Sequence, residues 1–184
     1  MSDSSLAPAF LVAMPQLLDP NFHRAVVLLI HHDDEGTFGV VLNRATEILA
    51  PQLCQSIDID WCGDPAAVVS WGGPVQPQTG WVLFDGQAGP DEHSQAIGED
   101  VRFAGSLEVL RGLASHPPEH LRVLLGYAGW GPGQLESELT QGAWLIAPLD
   151  RATLFDVEDE AVWGHVVRGL GIEPATLVAG KGVH

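Results

Sequence analysis

The six-residue run Ala25-Val26-Val27-Leu28-Leu29-Ile30 constrains the fold more than any other segment of the chain. It is short for a helix and rich in β-branched residues, so it reads as a strand buried on both faces. Such a strand needs cover on two sides, which means a layered domain rather than an isolated hairpin. Turn-forming residues set the scale of the other elements. The 21 glycines and 13 prolines are spread along all 184 residues, which implies many turns between short elements.

Ala9 to Met14 reads as a strand ended by Pro15, and Asp19-Pro20-Asn21 reads as a turn. His32-Asp33-Asp34-Glu35-Gly36 then joins the buried run to a second strand, Thr37 to Asn43, as a hairpin. Leu49, Leu53 and Ile57 recur at fourfold spacing and predict a short helix over Ala50 to Ser56. Strands are expected at Val68 to Trp71 and Trp81 to Phe84, around the loop Gly72-Gly73-Pro74-Val75. A weaker pair is expected near Ser94 to Ile97 and Val101 to Phe103. Ser106 has the character of an N-cap, with Glu108 in the first turn of a helix that stops before Pro117-Pro118. Leu121 to Tyr127 reads as a buried strand, Gln134 to Thr140 as a helix, Trp144 to Ala147 as a strand and Glu158 to Arg168 as a last helix. Pro132 suits the first position of the helix near Gln134. The sum is an α+β domain over residues 9–172 with a mixed, mainly antiparallel sheet. A flexible lead, 1–8, precedes it and a tail, 173–184, follows.

Charge narrows the partners. There are 24 acidic against 8 basic side chains, the single lysine is Lys181, and the formal net charge is -16. A generic nucleic-acid binder carries a basic stripe, and an anionic membrane surface attracts basic segments. Neither partner suits this chain. The acids fall in the turn Asp33 to Glu35, at helix starts near Glu108, Glu136 and Glu158, and across Asp91 to Asp100. No apolar run approaches the roughly 18 residues of a membrane span, and Met1-Ser2-Asp3-Ser4-Ser5 lacks the positive start of a signal peptide. Cys54 and Cys62 are too few for a disulfide framework, so reduced thiols in the cytoplasm are expected.

Motifs for chemistry are sparse. Gly126 to Gly133 stands between a strand and a helix, but it lacks both the Gly-Lys-Ser/Thr and the GxGxxG spacing of phosphate loops. Glu136 and Glu138 would also repel phosphate there. His31-His32-Asp33-Asp34-Glu35 concentrates metal-ligating types, yet adjacent strand residues point to opposite faces. Solvated turn residues are therefore expected. There is no HExxH, CxxC pair, EF-hand loop or GxSxG elbow, so no cofactor, metal or catalytic nucleophile is indicated. Tyr127, Trp130 and Gln134 are candidates for a polar-aromatic rim that meets a small ligand or a protein partner. Asp19 and Asn21 are either turn residues bonded to their own backbone or part of a site with Arg44. Arg44 either pairs with Asp19 or anchors an acidic ligand in a cleft lined by Gly72, Gly73 and Trp130.

Several of these segments together carry a resemblance. Phe10-Leu11-Val12-Ala13-Met14-Pro15 with Asp19-Pro20-Asn21-Phe22, Gly39-Val40-Val41-Leu42-Asn43-Arg44, Gly72-Gly73-Pro74-Val75 and Gly126 to Glu136 occur in an order that resembles the YqgE/AlgH family. The likeness runs from about residue 7 to residue 172. It implies an α+β fold with a barrel-like, branching sheet surrounded by helices. It brings no established enzymatic activity, and the transcriptional-regulator label of some members comes without a DNA-binding motif. The chain departs from the pattern in its acidity and in Ala45, where the family often has proline. The expected function is a cytoplasmic binding or regulatory protein acting through a protein or small-ligand partner. The alternatives are an enzyme for a small polar substrate between Gly72-Gly73-Pro74 and Gly126 to Gln134, and, last, a DNA-binding regulator.

Overall fold

A computed structural model describes residues 5–17, 19–86, 94–98 and 100–177. Its elements run β1 (Ala9–Ala13), β2 (Val26–Asp33), β3 (Gly36–Val41), β4 (Ala45–Leu49), α1 (Ala50–Ser56), β5 (Val68–Trp71), β6 (Val75–Asp85), β7 (Gln95–Gly98) and β8 (Val101–Ala104). There follow α2 (Leu107–Ser115), β9 (Leu121–Trp130), α3 (Gln134–Thr140), β10 (Trp144–Ala147), α4 (Arg151–Phe155) and α5 (Asp159–Gly169). The main sheet has the order β10-β1-β2-β3-β9-β6-β8-β7, and β5 with its partner β4 branches from β9. The β5–β9 pair is parallel. The other pairs are antiparallel. The fold is α+β with an open, branching sheet.

Val26 to Ile30 are all buried, as their composition requires, because helices cover both faces of the sheet. Successive strand residues divide between the layers. Phe10 and Leu28 join Val162 and Trp163 of α5, whereas Leu11, Val27 and Leu29 join Leu135 of α3 and Trp144. Val82 and Phe84 face a third cluster with Cys54 of α1 and Val109 and Leu113 of α2. Each fully buried Leu or Phe contributes on the order of 1.5–3 kcal/mol, against the entropy of ordering it.

Several boundaries differ from the sequence reading, and β2 runs on to Asp33, which leaves only Asp34 and Glu35 as the hairpin loop. β6 begins at Val75 and not at Trp81, with its register to β9 broken between Val75 and Gly80. β9 runs on to Trp130, so most of the glycine-rich stretch is strand. Gly133, at φ 73, is the N-cap of α3, which puts Pro132 outside the helix and not in its first turn. Strand β4 and helix α4 have no counterpart in the sequence reading. The α2 cap is as expected: Ser106 Oγ accepts from the N–H groups of Glu108 at 3.1 Å and Val109 at 3.3 Å.

Of the expected lead, tail and acidic stretch, residues 1–4, 178–184, 91–93 and 99 lie outside the described residues. The Leu6 N–H donates to His32 Nδ1 at 3.1 Å, and Leu177 packs on the core. No helix among the described residues is long and apolar enough to cross a membrane.

Candidate functional site

The sheet forks at the middle of β9. One edge of β9 pairs with β6 from Leu121 to Tyr127. The other edge pairs with β5 at Leu124 and Leu125, then with β3 from Ala128 to Trp130. At the changeover the backbones of Gly72, Gly73 and Gly126 are in direct contact. A Cβ on Gly73 would stand 2.2 Å from the Tyr127 carbonyl, and one on Gly126 would stand 2.3 Å from the Gly73 oxygen. Gly73 and Gly126 also have φ of 152 and 83, which side chains disfavour. The Gly72 N–H donates to the Leu125 carbonyl and its own carbonyl accepts from the Val41 N–H, both at 2.7 Å. The two glycine segments are therefore in backbone contact at this point of the fork.

Asp19, Asn21 and Arg44 meet, though not as an ion pair. Asp19 Oδ1 accepts from the Asn21 N–H at 2.9 Å, the turn geometry expected of an aspartate there. Arg44 donates from Nη1 to the Pro20 carbonyl and from Nη2 to the His23 carbonyl, each at 2.8 Å, and its guanidinium lies 5.6 Å over the Trp71 ring. Burial lowers the Arg44 pKa, and Asp19 opposes that as a more distant charge. Asn43 completes the clasp, since its Oδ1 accepts from the Val26 N–H and its Nδ2 donates to the Arg24 carbonyl. The loop so held inserts Phe22 against Trp130 and Trp144, with ring centroids 6.4 and 5.6 Å away.

Tyr127 and Trp130 do not share a rim. Three residues apart in one strand, they project to opposite faces. Tyr127 packs with Phe38 at 4.9 Å and with Trp81 at 6.2 Å, on the layer covered by α5. Trp130 is buried in the α3 layer. Gln134 ties down the start of α3: its Oε1 accepts from the Gly131 N–H and its Nε2 donates to Glu138. The Trp81 indole N–H is buried without a hydrogen-bond acceptor among the described residues. The rings of Phe38, Phe103 and Tyr127 surround it, and π faces are weak acceptors.

This forked sheet, with its glycine contacts and clasped loop, has known relatives. A profile described as AlgH-like matches residues 10–175. The chain belongs to the AlgH-like family. A UPF0301 protein of Myxococcus xanthus is 40% identical over 181 residues, covering 98% of this chain and 99% of that one. One from Laribacter hongkongensis is 39% identical, with 99% of both chains covered. The solution structure of AlgH from Pseudomonas aeruginosa superposes with a TM-score of 0.77 at 34% identity, covering 97% and 95% of the two chains. The crystal structure of DIP2367 from Corynebacterium diphtheriae gives 0.74 at 25% identity, covering 92% and 88%.

Two concave surfaces of this AlgH-like chain are built largely outside the family motifs. One cleft of 290 Å³ opens between the end of α1 and the start of α2. Leu53, Ile57, Leu107 and Leu110 form its walls, Val123 and Leu125 belong to its lining, and Gln78, Thr79 and Ser106 add polar groups. Leu107 is 62% exposed. A leucine in the first position of a helix, where a polar residue is more usual, is the one sequence signal of this cleft. A second cavity, of 440 Å³, lies between the β10–α4 connection and α5.

Titratable clusters also form where the sequence reading did not look. Asp85, Glu119 and His120 bring ligand atoms within 4.8 Å of one another. Asp85 is already engaged by the His120 N–H at 2.8 Å and by the Arg151 guanidinium, a cation that competes with any metal ion. His31 and His32 do face opposite ways, but His32 is a buried bridge and not a solvated turn residue. Its Nδ1 accepts from Leu6, so Nε2 carries the proton and donates to Glu136 at 2.9 Å. The helix-start N–H and His32 together hold the Glu136 carboxyl below its ordinary pKa. Cys54 is buried and Cys62 exposed, neither in a disulfide; burial pushes the Cys54 thiol up.

Proposed function

We propose that this protein is a cytoplasmic binding protein, without catalytic chemistry of its own, that docks an apolar side chain of a basic protein segment in the α1–α2 cleft. Leu107 carries the proposal: it stands exposed at the mouth of a cleft whose other walls are already apolar. Together with Leu53, Ile57 and Leu110 it makes a contiguous apolar surface, the kind that marks a contact site. A cleft of 290 Å³ lies at the low end of small-molecule pockets, and one anchoring side chain of a partner suits it. The net charge of -16 favours a basic partner, and Asp58 and Glu108 directly follow the cleft residues Ile57 and Leu107. The catalytic reading loses support because Asp19, Asn21 and Arg44 hold a loop, and because Gly72 and Gly73 are in contact with the backbone of Gly126 and Tyr127. The DNA reading loses support because six of the seven arginines are engaged internally.

Affinity capture from native extract tests this, comparing the wild-type chain with Leu107→Asp at low and high salt. Aspartate suits the first turn of a helix, so the fold is retained. The expected result is a protein recovered by wild type, lost with L107D and weakened by salt. Identical recovery by both chains would overturn the assignment of the cleft.

A further inference from the structure

We infer that the cavity between α4 and α5 is a second, independent site, which binds small carboxylates that carry an apolar body. Its 440 Å³ lie between the residues that leave β10, the first turn of α4 and the C-terminal half of α5. Phe10, Pro148, Leu149, Val166 and Leu170 supply an apolar wall, while Asp150, His165 and Arg168 supply the polar edge. That combination of size and lining is what a small-ligand pocket requires.

Arg168 decides the sign of the ligand. Arg44, Arg102, Arg111, Arg122 and Arg151 donate hydrogen bonds within the chain, and Arg24 lies 5.2 Å over the Trp163 ring. Arg168 has no hydrogen bond or ion pair among the described residues, although the chain holds a threefold excess of acids. Its guanidinium lies over Gly164, one turn earlier in α5, with Nη1 3.5 Å from the point where a Cβ would stand on that glycine. The last turn of α5 favours a cation, which accounts for an arginine here. Among the described residues its donors face solvent, so a carboxylate that enters the cavity exchanges water for a paired contact there.

Asp150 is not available as the counterion. Its Oδ2 accepts from His165 Nε2 at 2.8 Å and from Thr153 Oγ1 at 2.7 Å, and its Oδ1 accepts from the Ala152 N–H at 3.2 Å. Because Thr153 bonds to Asp150 and not to His165, the three do not form a nucleophile–base pair. His165 is instead fixed by Asp150 within the lining of the cavity. A bare inorganic anion would leave the apolar wall without contact, and a neutral apolar molecule would leave Arg168 unpaired. A carboxylate with an aliphatic or aromatic body answers both. Its single charge also limits repulsion from the acidic surface.

Titration of the isotope-labelled protein with octanoate, acetate and 1-octanol, followed by amide NMR, tests the site. Octanoate at millimolar concentration is expected to shift amides in residues 147–153 and 165–170. Acetate and 1-octanol should each bind at least about tenfold more weakly, and Arg168→Gln, an exposed change, should weaken octanoate by about 10- to 100-fold. The L107D chain should bind octanoate as the wild type does, which separates this site from the α1–α2 cleft. No octanoate shifts in these two segments would overturn the site. Equal affinity for 1-octanol, or unchanged affinity in R168Q, would overturn its preference for an anion.

Discussion

The indole N–H groups of Trp130 and Trp144 converge on one oxygen, Oε1 of Glu138, at 3.0 and 2.9 Å. The rings cross at 76° with centroids 5.9 Å apart, and Phe22 lies against both. Replacing Glu138 with alanine orphans the donors of two buried indole rings. The expected loss is about 2–4 kcal/mol in urea denaturation. Glu138→Gln keeps an oxygen acceptor and should cost less than about half of that.

The fork in the sheet predicts an asymmetry between glycines. Gly73→Ala forces a Cβ against the Tyr127 carbonyl at a positive φ, and no flexible side chain is there to yield. It should prevent folding or cost at least about 3 kcal/mol. Gly112→Ala, in the interior of α2 with nothing within 4 Å of its Cβ, should stabilise by about 0.5–1 kcal/mol. Thermal melts of the two variants should move in opposite directions.

Arg44 acts at a distance on the tryptophan layer. Arg44→Ala releases the Pro20 and His23 carbonyls and loosens the loop that seats Phe22. A loss of about 1–3 kcal/mol is expected, with a change in tryptophan emission as Trp130 and Trp144 lose their ring contact. Arg44→Lys should recover little of it, because one ammonium does not reproduce a fork spanning two carbonyls. Emission that stays native in Arg44→Ala would separate the loop from the tryptophan layer.

Asp150 gives a pH dependence with a definite sign. Hydrogen bonds from His165 and then Thr153 hold its carboxyl below the ordinary value. Its contribution is therefore present above the pKa of the unfolded chain and is lost as pH falls through the lower, folded pKa. Asp150→Asn keeps the helix cap, since asparagine caps as well as aspartate does. The variant should melt below wild type at neutral pH, and the gap should close under acid conditions. A gap that persists there would assign the effect to packing.

The elements legible from sequence are those whose burial is local. The β2 run shows its strand by composition, the helix at Ala50 carries its own spacing, and the helix at Leu107 carries its own cap. Ala45–Leu49 does not, because its side chains are largely exposed and its strand exists only through pairing with β5. Tyr127 and Trp130 misled for a different reason. Read as a glycine-rich loop, they could share a rim; as strand residues, their separation puts the sheet between them. Arg122 has no local signature at all. Its guanidinium is deeply buried, and it donates to Leu154, Ser70 and Leu42, which are 32, 52 and 80 residues away. The α4–α5 cavity likewise needs Phe10 beside residues 147–170, a juxtaposition that only the folded sheet makes.

Strand β9 has a consequence for the chain as it is being made. Its three partners, β3, β5 and β6, all precede it in the sequence. Until about residue 130 has left the ribosome, those strands expose unpaired edges, and the arrival of β9 joins them in one event. A nascent chain halted before Leu121 is thus a collection of open sheet edges, prone to self-association. High negative charge on such a chain keeps copies apart during that interval, a use for acidity in synthesis beside its attraction for a basic partner in the finished fold.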